Sequence, residues 1–222
     1  MNTNTEFSLS LGTDSTVELN HRVANNLSLV VALVRLHASQ LARERRAMSA
    51  GEVSVLLGDI ASRIETAARL HRMLAHRPDS VTVDLAAYLR ELCGSLAVSM
   101  PFGGTIECAP APDDRYEIPP DLVLPVALIV TEAVTNAVKY AHPTGLPVAI
   151  EVACGRRRDG RGVIEVTDDG VGLPDGFDPA VDGSLGFQAM RHLARQAGAD
   201  LAFESGPLGL RCTVTLPDLA LN

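Results

Sequence analysis

No proline interrupts the chain between Asp14 and His76. Proline removes a backbone donor and clashes with the preceding helical turn, so this stretch is free to be helix throughout. Its apolar pattern fits. Ser15 and Glu18 have the spacing of a capping box, which starts a helix near Ser15. Leu19, Val23, Leu27, Val30, Val34 and Leu41 then recur at steps of three, four or seven, one apolar stripe on a helix reaching about Arg46. The pattern breaks around Met48 to Gly51 and resumes as Val53, Leu57, Ile60, Ile64, Ala67, His71 and Leu74. Two amphipathic helices joined by a short turn make an antiparallel hairpin. A lone hairpin cannot cover both of its apolar faces. The expected assembly over residues 14–77 is therefore a four-helix bundle made by two chains, a homodimer.

After His76-Arg77-Pro78 the texture changes. Short β-like runs appear at 81–84, 105–108, 148–152, 163–167, 201–203 and 212–216, with helix-like stretches at 85–98, 121–140 and 187–196 between them. Glycine and proline mark the joints. Alternating strands and helices predict one α/β domain over residues 80–219. The stretch Arg156-Arg157-Arg158-Asp159-Gly160-Arg161-Gly162 reads as a charged, solvated hairpin tip.

Composition removes several classes. A hydrophobic fraction of 46% is too high for a disordered tail, and no uninterrupted run reaches the ~18 apolar residues of a membrane span. The first residues lack the basic segment of a secretory signal, so the expected location is the cytoplasm, with no membrane partner. A net charge of -8 argues against nucleic acid as a partner, since that binding uses cationic surface. Cys93, Cys108, Cys154 and Cys212 show neither a CxxC pair nor zinc spacing with histidine, and read as small buried hydrophobes in a reducing compartment.

Four groups of residues could carry chemistry. In Glu18-Leu19-Asn20-His21-Arg22-Val23-Ala24-Asn25 the apolar stripe leaves His21 on the outer face, beside Glu18 and Asn25. A neutral imidazole is a good nucleophile near pH 7, and a nearby acceptor can take its N–H proton as the new bond forms. Alone, the pattern fits an ordinary surface histidine as well. On the helix 121–140, Glu132 and Asn136, with Tyr140 or Lys139, line one polar edge of an otherwise aliphatic element. Such a group can hold a magnesium ion and phosphate oxygens, though an amphipathic helix with a wet edge would look the same. Lys139 is the sole lysine among 19 basic residues, and it falls on this edge.

Next, Val163 to Thr167 ends in Asp168-Asp169-Gly170-Val171-Gly172. The glycines brush against the dinucleotide fingerprint, but Pro174 and Gly176 prevent the helix that it requires. Asp168 could instead accept from an exocyclic amine such as adenine offers, with Gly170 and Gly172 letting the base approach the backbone. Finally, Gly183-Ser184-Leu185-Gly186-Phe187 leads into a helix, a natural seat for phosphate.

These boxes, in this order, resemble the Bergerat-type α/β sandwich ATPase domain shared by gyrase-like ATPases, the ninety-kilodalton heat-shock chaperones and histidine kinases. Positions 131–140 resemble the N box, 168–173 the first G box and 183–187 the second. Upstream, His21-Arg22-x-x-Asn25-Asn26-Leu27 resembles the phosphoacceptor box of a histidine-kinase subclass related to the HWE kinases, and Arg63 to His71 resembles its second helix. There is no tryptophan to supply the Trp-x-Glu element of the HWE kinases themselves, and Thr131 stands where those have histidine. The resemblance covers residues 15–217.

The resemblance implies a fold of two parts, a helical hairpin that dimerises and carries His21, then an ATP-binding domain. It implies ATP and Mg2+ as cofactors. His21 would receive the γ-phosphoryl group, with Glu18 holding its proton. Asn136 and Glu132 would hold the metal, while Lys139 and Tyr140 would meet the nucleotide. Asp168 would read the adenine amine with Gly170 and Gly172 behind it, and Gly183, Leu185 and Gly186 would bracket the lid. The phosphoryl group would pass to an aspartate of a response-regulator receiver domain. With about 14 residues before the first helix, the chain is expected to take its signal from a separate sensor protein or to serve within a relay. A phosphotransferase that shuttles phosphate without ATP, and a serine kinase of the anti-sigma type, are the alternatives.

Overall fold

The computed structural model describes residues 28, 31–32, 34–35, 38–39, 49–75, 82–99, 104–110, 116–183 and 185–219. The chain divides into two compact units, Met1–Val81 and Thr82–Asn222. His21, Glu18 and Asn25 lie outside the described residues.

In the first unit, helix α1 spans Ala50–Ala75, and the described positions among 28–39 are also helical. The break at Met48 to Gly51 is a capping box. Ser49 N donates to Glu52 Oε2 at 2.8 Å, and Glu52 N donates to Ser49 Oγ at 3.3 Å. Two orphan donors of the helix start are thereby satisfied. Along α1, Ala67 is buried, whereas Val53, Leu57 and Ile64 of the apolar stripe are 39%, 59% and 50% exposed.

The second unit opens with β1 (Val83–Asp84) and α2 (Leu85–Ser99). Asp84 Oδ1 accepts from Ala87 N at 3.1 Å and caps α2. Then come β2 (Thr105–Pro110), β3 (Glu117–Ile118), α3 (Pro120–Tyr140), β4 (Ala149–Arg156), β5 (Gly162–Asp168), α4 (Leu185–Gln196), β6 (Asp200–Gly206) and β7 (Gly209–Thr215). The main sheet has the order β2-β4-β5-β7-β6. Only the β2–β4 pair is parallel; the other neighbours are antiparallel. A helical first unit followed by this α/β sandwich agrees with the expected fold class.

Alternation builds the core. Ile150 and Val152 of β4, Ile164 and Val166 of β5, and Cys212 and Val214 of β7 are buried, and the residues between them on β5 are half-exposed. Among the described residues of the helices, Val123 to Val130 on α3 are buried without a break, and Phe187, Met190 and Leu193 give α4 its apolar face. α3 is the one described helix long and apolar enough to cross a membrane. Most of its apolar window, 72%, is buried inside the protein, which marks it as a core helix. Gly198, at φ 60°, ends α4 in the left-handed conformation typical of a helix stop.

Strand lengths differ from the sequence pattern where pairing overrides it. β4 continues through Ala153-Cys154-Gly155-Arg156 because its ladder with β5 runs to Arg156↔Gly162. The charged tip is thus only residues 157–161, closed by Arg157 N to Arg161 O at 2.8 Å. β3 was not anticipated; two residues carry no readable periodicity, and only the pairing Val83↔Ile118 defines it.

Candidate functional site

The site forms where α3, the end of β5 and the start of α4 converge. A pocket there is lined by Ala133, Asn136, Val166, Asp168, Phe187, Met190, Phe203, Leu210 and Cys212. Glu132 is 7% exposed, and Asn136 is half-buried one turn further along α3. Their four-residue spacing puts both on one helix edge.

Gly186, in the first turn of α4, packs on that edge. A Cβ placed on Gly186 would lie 3.2 Å from Asn136 Nδ2, 3.3 Å from Asn136 Oδ1 and 3.4 Å from Glu132 Oε2. The N box and second G box therefore meet directly, across 50 positions of sequence. Gly183 is as constrained, since a Cβ there would lie 2.7 Å from Phe187 Cβ. Leu185 opens α4 between these two glycines.

Asp168, the last residue of β5, is 7% exposed. Its Oδ1 accepts from Gly170 N at 2.9 Å and Leu210 N at 3.2 Å. These bonds fix the carboxylate in the pocket wall. Oδ2 has no hydrogen-bond partner among the described residues. The loop after Asp168 is held by close fits. A Cβ on Gly170 would lie 2.5 Å from Ala141 Cα, and Val171 N donates to Ala141 O at 2.9 Å. Gly172 takes φ 71°, with the Ser205 hydroxyl 2.6 Å from its Cβ position. Both glycines are demanded by backbone approach, the first to α3 and the second to β6.

Beside this loop, His142 Nε2 lies 3.0 Å from Asp169 Oδ1, which also accepts from Ala149 N at 2.9 Å. The Ala149 N–H foremost holds the Asp169 carboxyl below its usual range against the opposing effect of burial, and the His142 contact lowers it further. Lys139 and Tyr140 are exposed at the end of α3.

The chemistry of the pocket suits a nucleotide. Asn136 Nδ2 is a buried donor with no hydrogen-bond partner among the described residues. An orphan amide donor is costly to the folded chain and is satisfied by an acceptor such as a phosphate oxygen. No group of three or more His, Cys, Asp or Glu able to hold a metal occurs among the described residues. Mg2+ needs no such cage, because it is commonly held by one or two protein oxygens together with substrate phosphates. Glu132 and Asn136 provide that donor set.

The apolar half of the pocket was not read from the sequence. Phe187 packs on Phe203 at 5.0 Å and on Phe177 at 5.8 Å between ring centroids. Cys212 lies below, its thiol pushed up to about 12 by burial. Phe187 directly follows Gly186 and was a readable signal. Phe203 and Cys212 face each other only through the β6–β7 register.

Comparison with known proteins agrees with this geometry. Residues 18–100 match a family model described as histidine kinase. Residues 122–220 match one described as histidine kinase-, DNA gyrase B- and HSP90-like ATPase. The chain is 24% identical over 204 residues to blue-light-activated histidine kinase 2 of Erythrobacter litoralis, covering 90% of this chain and 56% of that protein. It is 31% identical over 208 residues to the sensor histidine kinase PdtaS of Mycobacterium tuberculosis, covering 89% of this chain and 37% of that one. The chain thus spans about half or less of these relatives. Among solved structures, the histidine kinase domain of a blue-light activated histidine kinase from Erythrobacter litoralis superposes with a TM-score of 0.69 at 23% identity, covering 90% of this chain and 92% of that domain. With both halves matched in order, the chain belongs to the histidine-kinase family and pairs a histidine-kinase helical segment with a gyrase- and HSP90-like ATPase domain.

Proposed function

We propose that this chain is an ATP-dependent protein-histidine kinase that phosphorylates His21 and passes the group to an aspartate of a response-regulator receiver domain. The observation that supports the reading is that Asn136 and Asp168 line one pocket, with Gly186 packed against Asn136 and Glu132 beside it. In this reading Asp168 Oδ2 accepts from the adenine amine while its Oδ1 stays on Gly170 and Leu210. The orphan Asn136 Nδ2–H meets a phosphate oxygen or its Oδ1 meets the metal, with Glu132 beside it. Gly170 and Gly172 keep the wall free of side chains. Gly183, Leu185 and Gly186 border the phosphate end, and Lys139 and Tyr140 stand at its rim. Bound Mg2+ would supply neutralisation of phosphate charge.

At His21 one imidazole nitrogen forms the P–N bond as the bond from the γ-phosphorus to its bridging oxygen breaks, and ADP leaves. The proton on the other nitrogen passes to a base, for which we take the Glu18 carboxylate, three residues before His21 in the sequence, while the Asn25 amide would orient the ring by hydrogen bonding. Such transfers depend on positioning and charge neutralisation more than on covalent help.

Residues 14–77 act as the dimerisation and phosphotransfer domain and residues 80–219 as the ATP-binding domain. The exposed Val53, Leu57 and Ile64 stripe supports a homodimer, since a second copy would cover it. The setting is cytoplasmic.

The test is chemical. The chain is incubated with γ-labelled ATP and Mg2+, and the label is exposed to acid and to alkali. Loss in acid and survival in alkali supports phosphohistidine; the reverse would show a serine kinase. No label from ATP, with transfer from a phosphorylated receiver intact, would show a shuttle.

A further inference from the structure

The loop that leaves β5 is tied down almost residue by residue. Asp169 N donates to Ala149 O of β4 at 3.2 Å, and Gly170 N donates to Asp168 Oδ1 at 2.9 Å. Val171 N donates to Ala141 O, just past the end of α3, at 2.9 Å. These acceptors are backbone carbonyls or the loop's own first side chain. At the far end the acceptor differs in kind, because Leu173 N donates to the Ser205 hydroxyl of β6 at 2.7 Å. Among the described residues, Ser205 is the one side chain from another element that accepts a loop N–H between Asp169 and Leu173. Pro174 follows and has no N–H, so the next residue cannot take over the bond.

Ser205 is paired across the β6–β7 ladder with Leu210. Leu210 N in turn donates to Asp168 Oδ1 at 3.2 Å. One cross-strand pair therefore grips both ends of the loop, Leu210 at Asp168 and Ser205 at Leu173. Between them the fit is close. Gly172 stands at φ 71°, and a Cβ there would lie 2.6 Å from both Gly206 O and Ser205 Oγ. Glycine loses more conformational freedom on ordering than any other residue, so a loop with two glycines needs outside anchors to keep one arrangement.

We propose that Ser205 is a positioning residue for nucleotide binding, its hydroxyl holding the 169–173 loop in the arrangement that the base meets. The inference rests on the nucleotide reading of the pocket. Ser205 is not among the residues that line that pocket, and it acts through Leu173 and Gly172. Without the hydroxyl the loop samples other arrangements, and a nucleotide binds only the fraction that stays in place. Apparent affinity falls by that fraction. Ser205 is exposed, so water can meet the Leu173 N–H when the hydroxyl is removed, and global stability changes little.

The experiment compares the full chain with Ser205→Ala and Ser205→Thr. Calorimetric titration measures affinity for ADP·Mg2+ and for ATP·Mg2+, and residue-resolved amide exchange follows the Leu173 N–H without ligand. Ser205→Ala is expected to bind both nucleotides about three- to tenfold more weakly, the fold-change of one net hydrogen bond. The loss should be equal for the two, since the loop stands at the base end and not at the γ-phosphate. The Leu173 N–H should exchange at least about threefold faster, while the melting temperature moves by less than about 4 °C. Ser205→Thr keeps the hydroxyl and suits a strand, so it should restore both affinity and slow exchange. Unchanged affinity in Ser205→Ala would overturn the proposal, as would a loss confined to ATP or one that Ser205→Thr shares. A larger fall in melting temperature with affinity intact would show a purely structural role and overturn it too. Failure of the unsubstituted chain to bind either nucleotide would instead overturn the nucleotide reading on which the proposal rests.

Discussion

Gly186 lies against Asn136 so closely that a methyl group on the glycine would sit 3.2 Å from the amide nitrogen. Alanine is intrinsically better than glycine inside a helix by ~1 kcal/mol, so Gly186→Ala is expected to leave the melting temperature unchanged or raise it. The same methyl should displace Asn136 and weaken ATP·Mg2+ binding by about tenfold, a loss of ~1.4 kcal/mol. Calorimetric titration beside a thermal melt separates the two effects. A loss of stability equal to the loss of affinity would show that the glycine serves folding alone.

Asn136→Ala removes a buried donor that has no partner among the described residues. Leaving such a group unsatisfied costs ~1–3 kcal/mol, so its deletion should cost the ligand-free protein little. Binding of ATP·Mg2+ should fall by about a hundredfold, the ~2.7 kcal/mol of a charge-assisted contact. A large drop in ligand-free melting temperature would contradict the assignment.

In the proposed reading Asp168 divides its two oxygens between fold and ligand. Asp168→Asn keeps a carbonyl for the N–H groups of Gly170 and Leu210 and loses the acceptor offered to adenine. Its melting temperature should stay near that of the unsubstituted chain while ATP affinity drops about 10–100-fold. Asp168→Ala should also lose ~1–3 kcal/mol of stability, because the buried Gly170 N–H and the part-buried Leu210 N–H go unmet. Denaturant melts of both variants make the comparison.

Much of this was legible in the sequence, and the reasons differ by element. Asp168 and the glycines were readable because each sits where an element begins or ends, and Asn136 because a polar edge on an otherwise aliphatic helix needs a cause. The pairing of Gly186 with Asn136 was not, since it depends on how α4 crosses α3. Ser49 and Glu52 had capping-box spacing but were read only as a break in the apolar pattern. The aromatic wall escaped notice because Phe203 reaches Cys212 only through strand pairing. Position 209 shows the limit most clearly. Gly209 has φ 117°, and a Cβ there would overlap the Asp168 carbonyl.

That overlap gives a stability prediction. Gly209→Ala should lose at least ~2 kcal/mol, from left-handed strain plus the clash, and should carry Asp168 and ATP affinity with it. Gly176 has φ 77° but nothing within 4 Å of its Cβ position. Gly176→Ala should therefore lose only the strain, about 1 kcal/mol. Equal losses measured by denaturant melts would refute the packing argument.

The Asp169 carboxylate sets an acid limit. Its folded value is held below the ordinary carboxylate range, first by the Ala149 N–H. A depressed carboxylate stabilises the fold above its unfolded value and loses that contribution as pH falls through the folded one. Asp169→Asn should thus be slightly less stable than the unsubstituted chain near neutrality, by under about 1 kcal/mol because solvent screens the half-exposed group. The gap should close below about pH 4. Melts across that range would contradict the idea if the gap widened in acid.

The account rests on His21 taking phosphate from ATP held by Asn136 and Asp168. Phosphopeptide mapping under alkaline conditions, after exposure to ATP and Mg2+, tests this most directly. The expected result is phosphate on His21 in the unsubstituted chain, with none in His21→Gln and a strong reduction in Asn136→Ala. Phosphate on a serine or threonine, or undiminished phosphate in Asn136→Ala, would contradict it.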